Sequence, residues 1–213
     1  MNADIRTMKT LAEQALSAAY AAARDKLPGK GAVPSLRADA FKQFEKRGLP
    51  NRRVEEWKYT DLRALMHDAF PLATPPDVAT KSRAKRAGDI FSGIDCRRLV
   101  FVDGAFAPEL SDLAPEPGLT ICAMADALAK GDALVAEHVG KTFATDDAAV
   151  ALNTALMGDG VVIGIAKGAE IKRPIHLVFA AGADKPSSAF IRSLAVVGEG
   201  AKATIIEDHD SGD

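Results

Sequence analysis

The densest set of metal-ligating and proton-carrying side chains lies at one end of the chain, in "IIEDHDSGD", where Glu207, Asp208, His209, Asp210 and Asp213 fall within seven residues. Carboxylate oxygens and an imidazole are the donors a divalent cation takes. Their near-consecutive spacing matches no ligand motif, so a solvated turn is the simpler reading. Weak cation binding stands as a hypothesis motivated by donor density. Calorimetric titration with manganese or iron tests it: no heat, or no change after His209→Ala, removes it. A second group, Glu55, Glu56 and Asp61, sits in "LPNRRVEEWKYTDLR". General acid–base chemistry needs two carboxylates in a cleft with their pKa values pushed apart. Here Arg52, Arg53, Lys58 and Arg63 alternate with the acids, and ion pairs fixing the loop around Trp57 are the plainer expectation. His67, His138 and His176 are scattered, and each reads as a structural or surface histidine.

Other reactive equipment is missing. "VVGEGAKAT" carries Gly198 and Gly200 but not the third glycine, or the Gly-Lys-Ser/Thr ending, that would bring backbone amides onto phosphates. There is no Gly-x-Ser-x-Gly elbow and no His-Glu-x-x-His pair. Cys96 and Cys122 lack a C-x-x-C partner, which fits reduced, mostly buried thiols. The residues therefore assign no catalytic, cofactor-binding or metal-binding position, and hydrolase and zinc-protease readings lack their minimum equipment. A formal charge of −2 across 213 residues gives no global field for nucleic acid or an anionic membrane. The basic run Lys81, Arg83, Lys85 and Arg86 has no interleaved aromatics and reads as solvated charge. No apolar stretch is long enough for a membrane span, and Asp4, Arg6, Lys9 and Glu13 interrupt any signal-like segment, so a cytoplasmic protein is expected.

The elements that would position these residues change character along the chain. Ile5, Met8, Ala12, Ala15, Leu16, Ala19 and Ala23 recur at three- and four-residue steps and predict an amphipathic helix over 3–25. Pro28, Gly29 and Gly31 end it. A second helix follows, with Ser35 as its expected N-cap and Gly48 as its C-cap. After Pro50, Thr60 is expected to cap a third helix, "DLRALMHDAF". Trp57 lies between the two, and burial of its ring is expected because leaving it in water forfeits roughly 1.5–3 kcal/mol. A proline-rich linker over 71–88 leads to "LVFVDGAF", a hairpin turning on Asp103-Gly104, whose positive φ angles suit a type I′ turn. Helical periods return over 125–143 and 146–156. From Gly158 onward, brief β-branched runs alternate with glycine turns: 161–165, 175–179, 193–197 and 203–206. "GAEI" at 168–171 is echoed by "GAKA" at 200–203, which points to a solenoid.

At "GLPNRRVEEWKYTDLR" the sequence resembles the SufD proteins of iron–sulfur cluster assembly, members of the SufB/SufD family. Gly48, Pro50, Glu55 or Glu56, Trp57, Lys58, Tyr59 and Thr60 carry the likeness, which continues through "LVFVDGAFAPELS" and the strand-rich end. The resemblance implies a scaffold subunit that pairs with SufB and docks the ABC-type ATPase SufC, with the iron–sulfur cluster handled by the whole complex and no cofactor held by this chain. It assigns no site residue here, because the family's functional residues belong to its C-terminal half.

The expected fold class is α+β: an N-terminal helical region followed by the first coils of a parallel β-helix, truncated. The corresponding boundaries are 1–88, helical region and linker; 89–157, mixed connecting region; and 158–213, the start of the β-helix core. An uncapped coil at the end of the tail would make these residues the front part of a longer protein, prone to aggregate alone. Two other functions are weighed. A β-helix acyltransferase-like enzyme would show hexapeptide periodicity, which does not extend beyond Ile163-Gly164. A nucleic-acid-binding adaptor would need steeply salt-dependent affinity.

Overall fold

The computed structural model describes residues 8–142 and 146–210. Asp4, Ile5, Arg6 and Asp213, named above, lie outside them, as does position 143 at the end of the helical stretch expected over 125–143. The first helix, α1, runs Leu11–Ala23 and opens on a capping box: Thr10 Oγ1 accepts from the Glu13 N–H, while the Glu13 carboxylate accepts from the Thr10 N–H. Helix α2, Val33–Arg47, ends on Gly48 as expected but begins at Ala32 with no side-chain cap. Pro34 occupies its first turn, where the missing N–H is harmless, so Ser35 falls inside the helix.

The third predicted helix is shorter than its sequence suggested. Only Leu62–Leu65, α3, is helical, and its cap is Asp61, whose carboxylate accepts from Ala64 N–H. The linker also contains a short helix, α4, Val78–Arg83, capped by Asp77. Helices α5 (Met124–Lys130) and α6 (Ala133–His138) divide the next helical stretch, and α7 follows at Ala148–Leu156. Leu16, Tyr20, Phe41, Phe44, Leu152 and Leu156 from α1, α2 and α7 form one buried cluster. Inside it the Tyr20 and Phe41 rings stack with centroids 3.9 Å apart.

Among the described residues seven strands make two sheets: β1 (Arg97–Val102), β2 (Ala105–Phe106), β3 (Leu119–Ala123), β4 (Val161–Ile165), β5 (Ile175–Ala180), β6 (Leu194–Val197) and β7 (Ile205–Asp210). One sheet has the order β2-β1-β5-β7 and the other β3-β4-β6. The expected hairpin is β1–β2, with Asp103 at φ 48° and Gly104 at φ 86°. β3 was not anticipated; it pairs antiparallel with β4.

The remaining pairings are parallel. β4 lies beside β6 with Val162 opposite Leu194, 32 residues on, and β5 beside β7 with Ile175 opposite Ile205, 30 residues on. The "GAEI" and "GAKA" turns lie one over the other between these pairs. Glu170 bridges Lys202 in parallel, and Gly168 N–H donates to the Glu199 carbonyl. Both turns need a left-handed residue, and glycine supplies it at 168 (φ 71°) and 200 (φ 70°).

Period-two alternation distributes each strand between layers. Leu99, Phe101, Ile175 and Leu177 point inward from one sheet to meet Val161, Ile163 and Ile165 of the other. On the far side of the β3-β4-β6 sheet, Val162 packs under α5 and α6 with Met124, Leu128 and Val135. On the opposite outer face, Val100, Val102, Val178 and Ala180 are covered by Ala84 and Ala87. Strands buried on both faces have little alternation to show, which is why "VVIGI" and "IHLVFA" read as continuous apolar runs. The architecture is α+β, helices followed by two mixed sheets.

Candidate functional site

Two places bear on function: the signature loop and the outer edge formed by β6 and β7. In the loop, Trp57 closes a 3-10 turn, Glu55–Trp57. Its ring is half-buried rather than enclosed, and its indole Nε1–H donates to Asp147 Oδ2 at 2.7 Å. The other oxygen of that carboxylate accepts from Ala149 and Val150 N–H and so caps α7. One aspartate therefore holds the signature loop and starts the helix. The same loop is tied to α1. Glu13 is buried, and its Oε1 accepts from Leu49 N–H at 2.8 Å and from Arg63 Nη1 at 2.9 Å.

Glu55 pairs only with Lys58 on the surface and Asp61 is a helix cap, so no acid–base pair forms. Tyr59 is 89% exposed, with Lys58 Nζ 5.2 Å from its ring centroid. Both cysteines are free; Cys96 is half-buried and Cys122 exposed on β3, which corrects the expectation of buried thiols. The basic run is largely committed within the chain. Lys81 pairs with Glu109, Arg83 donates to the Gly182 carbonyl, and Arg86 pairs with Asp89.

The strand β7 carries the acidic tail, and its pleat separates the donors. Ile205, Glu207 and His209 continue the inward row of Ile175, Leu177 and Phe179, while Ile206, Asp208 and Asp210 continue the outward row. His209 Nε2 meets Glu207 Oε1 at 2.9 Å. Among the described residues no three His, Cys, Asp or Glu side chains gather closely enough to hold a metal ion. His209 stacks instead. Phe101, Phe179 and His209 lie in register on β1, β5 and β7, with ring centroids 4.7 and 4.8 Å apart and planes within 18° of parallel. That spacing is the distance between neighbouring strands, so the rings repeat the backbone ladder.

Among the described residues the edge beyond β6 and β7 is uncovered. Val197, which follows Ile165 in register, is 52% exposed, and Ile205, which follows Ile175, is 42% exposed. A groove of about 550 Å³ opens beside it, with Phe179, His209, Asp103 and Ile191 among its walls.

Residues 11–177 match the family model described as the SufBD protein N-terminal region. The chain belongs to the SufBD family. It is 34% identical over 167 residues to an iron–sulfur cluster assembly SufBD family protein of Synechocystis, and 28% identical over 170 residues to the iron–sulfur cluster assembly protein SufD of Escherichia coli. These alignments take in 76% and 78% of this chain but 35% and 37% of the relatives, so the chain spans about a third of the length of the curated relatives it matches. The SufBD match takes in the signature loop, β1 to β4 and the first residues of β5. Among the described residues no helix is long and apolar enough to cross a membrane.

Asp147, Glu13 and Asp159 escaped the reading of the sequence as positioning residues. Asp159 links the two sheets: its Oδ2 accepts from Phe106 N–H on β2 and its Oδ1 from Ala125 N–H in α5, each at 2.9 Å. Glu13 was findable, since Thr10-x-x-Glu13 is the capping-box pattern. Asp147 is marked locally only as the cap of α7; its bond to Trp57 spans 90 residues, and the partners of Asp159 are 53 and 34 residues away, beyond any local pattern.

Proposed function

We propose that this chain is a scaffold part of an iron–sulfur cluster assembly machine, acting with a SufB-like paralogue and a SufC-like ABC-type ATPase rather than as an enzyme by itself. The cluster is cargo of the assembled complex, and no residue of this chain is given the task of ligating it. The observation that carries the reading is the SufBD match over 11–177. The names of the Synechocystis and Escherichia coli relatives, both assembly proteins, support it.

The two sheets are read as the first coils of a parallel β-helix. Three observations support that architecture. The β4–β6 and β5–β7 parallel partners lie 32 and 30 residues apart, glycine turns stack at 168 and 200, and the inward row reaches exposed Val197 and Ile205. A further coil laid on that edge would bury both side chains and pair the outer backbone groups of β7. On this reading the helical region is the anchor that finishes one end of the coil stack, held by Trp57 and Glu13.

The test is co-purification of the full-length protein expressed with SufB and SufC homologues from the same genome. A stable complex containing the ATPase is the expected result. Recovery of the full-length protein alone, folded and monodisperse with both homologues present, would overturn the assembly role.

A further inference from the structure

His176 is buried, titratable and unused by the scaffold reading. It sits on the outward row of β5, with its side chain 1% exposed. Arg98 is its register neighbour on β1, and Asp208 reaches toward it from β7. Its Nε2 lies 3.6 Å from Asp208 Oδ2, too far for a hydrogen bond, and both atoms are buried without a hydrogen-bond partner.

What covers the imidazole is a strap, residues 84–94, built from two 3-10 turns, Ala84–Arg86 and Asp89–Phe91. Phe91 sets its ring edge against the imidazole, with centroids 5.0 Å apart and planes 77° apart. At Gly88 the backbone comes so close that a β-carbon would lie 3.0 Å from His176 Cε1. Two hydrogen bonds among the described residues tie the strap's turn to the sheet. Arg98 Nη2 donates to the Ala87 carbonyl, and Gly88 N–H donates to Asp210 Oδ2 at 3.3 Å. Between strap and sheet lies a cavity of about 250 Å³, lined by Gly88, Asp89, Ser92, Cys96, Arg98 and His176 among others.

We propose that His176 is a proton-operated latch for this strap: the neutral imidazole lets residues 84–94 close over the outer face of the β2-β1-β5-β7 sheet, and protonation releases them. An imidazolium ion under the strap would have to give up water in exchange for one misaligned carboxylate, next to a guanidinium. The charged groups facing the ring are Asp208 from β7, Arg98 from β1 and Asp89 from the strap itself, with Asp210 close by at Gly88. Burial holds the ring's pKa below its ordinary value, Asp208 opposes that, and Arg98 adds to it. The sign follows. When the closed-state pKa lies below that of the open state, closure is complete above about pH 6.5 and weakens as pH falls through that value.

Hydrogen exchange of the full-length protein, corrected for the intrinsic pH dependence of exchange, reads the latch directly. Between pH 7.5 and 5.5 the strap amides should open more often, by up to about tenfold, the bound set by an open-state value near 6.5. Amides of Leu99–Val102 should not change. His176→Gln should remove the pH dependence, and Asp208→Asn, which withdraws the carboxylate 3.6 Å from the ring that favours the imidazolium, should enlarge it. Strap protection that is constant across this range in the unmodified protein, or that keeps its pH dependence in His176→Gln, would overturn the proposal. If His176→Gln does not fold, proton NMR titration of the His176 ring in the unmodified protein decides: a value below 6.5 supports the latch, and one at or above 6.5 sinks it.

Discussion

The two ends of the strand stack are finished in different ways. At the β2 and β3 end the chain turns back antiparallel. β2 is two residues long, β3 lays its own side chains beside β4, and Asp159 binds the two sheets together. Arg97, buried at the start of β1, donates to the Asp112 and Ala114 carbonyls and to Glu116. At the β6 and β7 end the strands stay parallel, and the inward row runs out into solvent at Val197 and Ile205. An antiparallel return can close a sheet locally, whereas a parallel edge repeats the geometry that made it and so presents a template for one more strand. Among the described residues one end is thus closed by antiparallel returns, while the other shows a parallel edge with two of its inward-row side chains exposed.

The largest effect that would break this contrast comes from the covered core. Leu99→Ala should lower unfolding free energy by about 2–5 kcal/mol in urea titration of the 213-residue chain. Ile205→Ala should cost less than about 1 kcal/mol there, because its side chain is already wet, and rise toward the core value in a longer chain that carries the proposed further coil. Equal costs in the two lengths would mean that nothing lies on the edge. Asp159→Ala removes two charge-assisted hydrogen bonds, one to β2 and one to α5, and should cost about 2–4 kcal/mol, with Asp159→Asn keeping part of it.

Trp57→Phe keeps the ring and deletes the bond to Asp147. It should cost about 1 kcal/mol and raise protease cutting near Arg52 and Arg53. An unchanged melting temperature and cutting pattern would detach the signature loop from its docking role. The smallest effect is in the acid limb. The Ala114 N–H, then Arg173, hold the Asp112 carboxyl below the usual carboxylate range. Its stabilisation is therefore present above about pH 4 and lost as pH falls below it. Asp112→Asn should flatten that part of the pH–stability curve, which two-point urea melts at pH 3 and pH 6 would detect.

Much of the fold was legible locally. The alanine-rich period of α1, the Asp103-Gly104 turn and the runs at 161–165 and 175–179 declared themselves, because each depends on residues within a turn or a strand of one another. β3 was missed although "LTICA" alternates, since five residues between helices give a weak signal. α3 was overestimated for a related reason: "DLRALMHDAF" has helix formers, but the chain leaves the helix at Met66, whose backbone is extended. The signature loop could be recognised by its residues and not by its geometry. Its tryptophan is half-buried because its partner is a helix cap 90 residues away. For the acidic tail, composition suggested a shared ligand set, and the pleat of β7 dealt its members to opposite faces.

The amino-acid sequence by itself determined which segments are helix, turn or strand, and through the Trp57 signature the family, because periodicity, turn chemistry and motif are properties of neighbours along the chain. Tertiary structure alone decided that Asp147 would serve two masters, that Asp159 would join two sheets, that the rings of Phe101, Phe179 and His209 would stack, and that His176 would be sealed beneath a strap. Apart from the Asp147 cap on α7, each of those contacts joins residues 30 or more positions apart, and which of the many available carboxylates or rings meets a given partner depends on how strands register and layers pack, information that no local window contains.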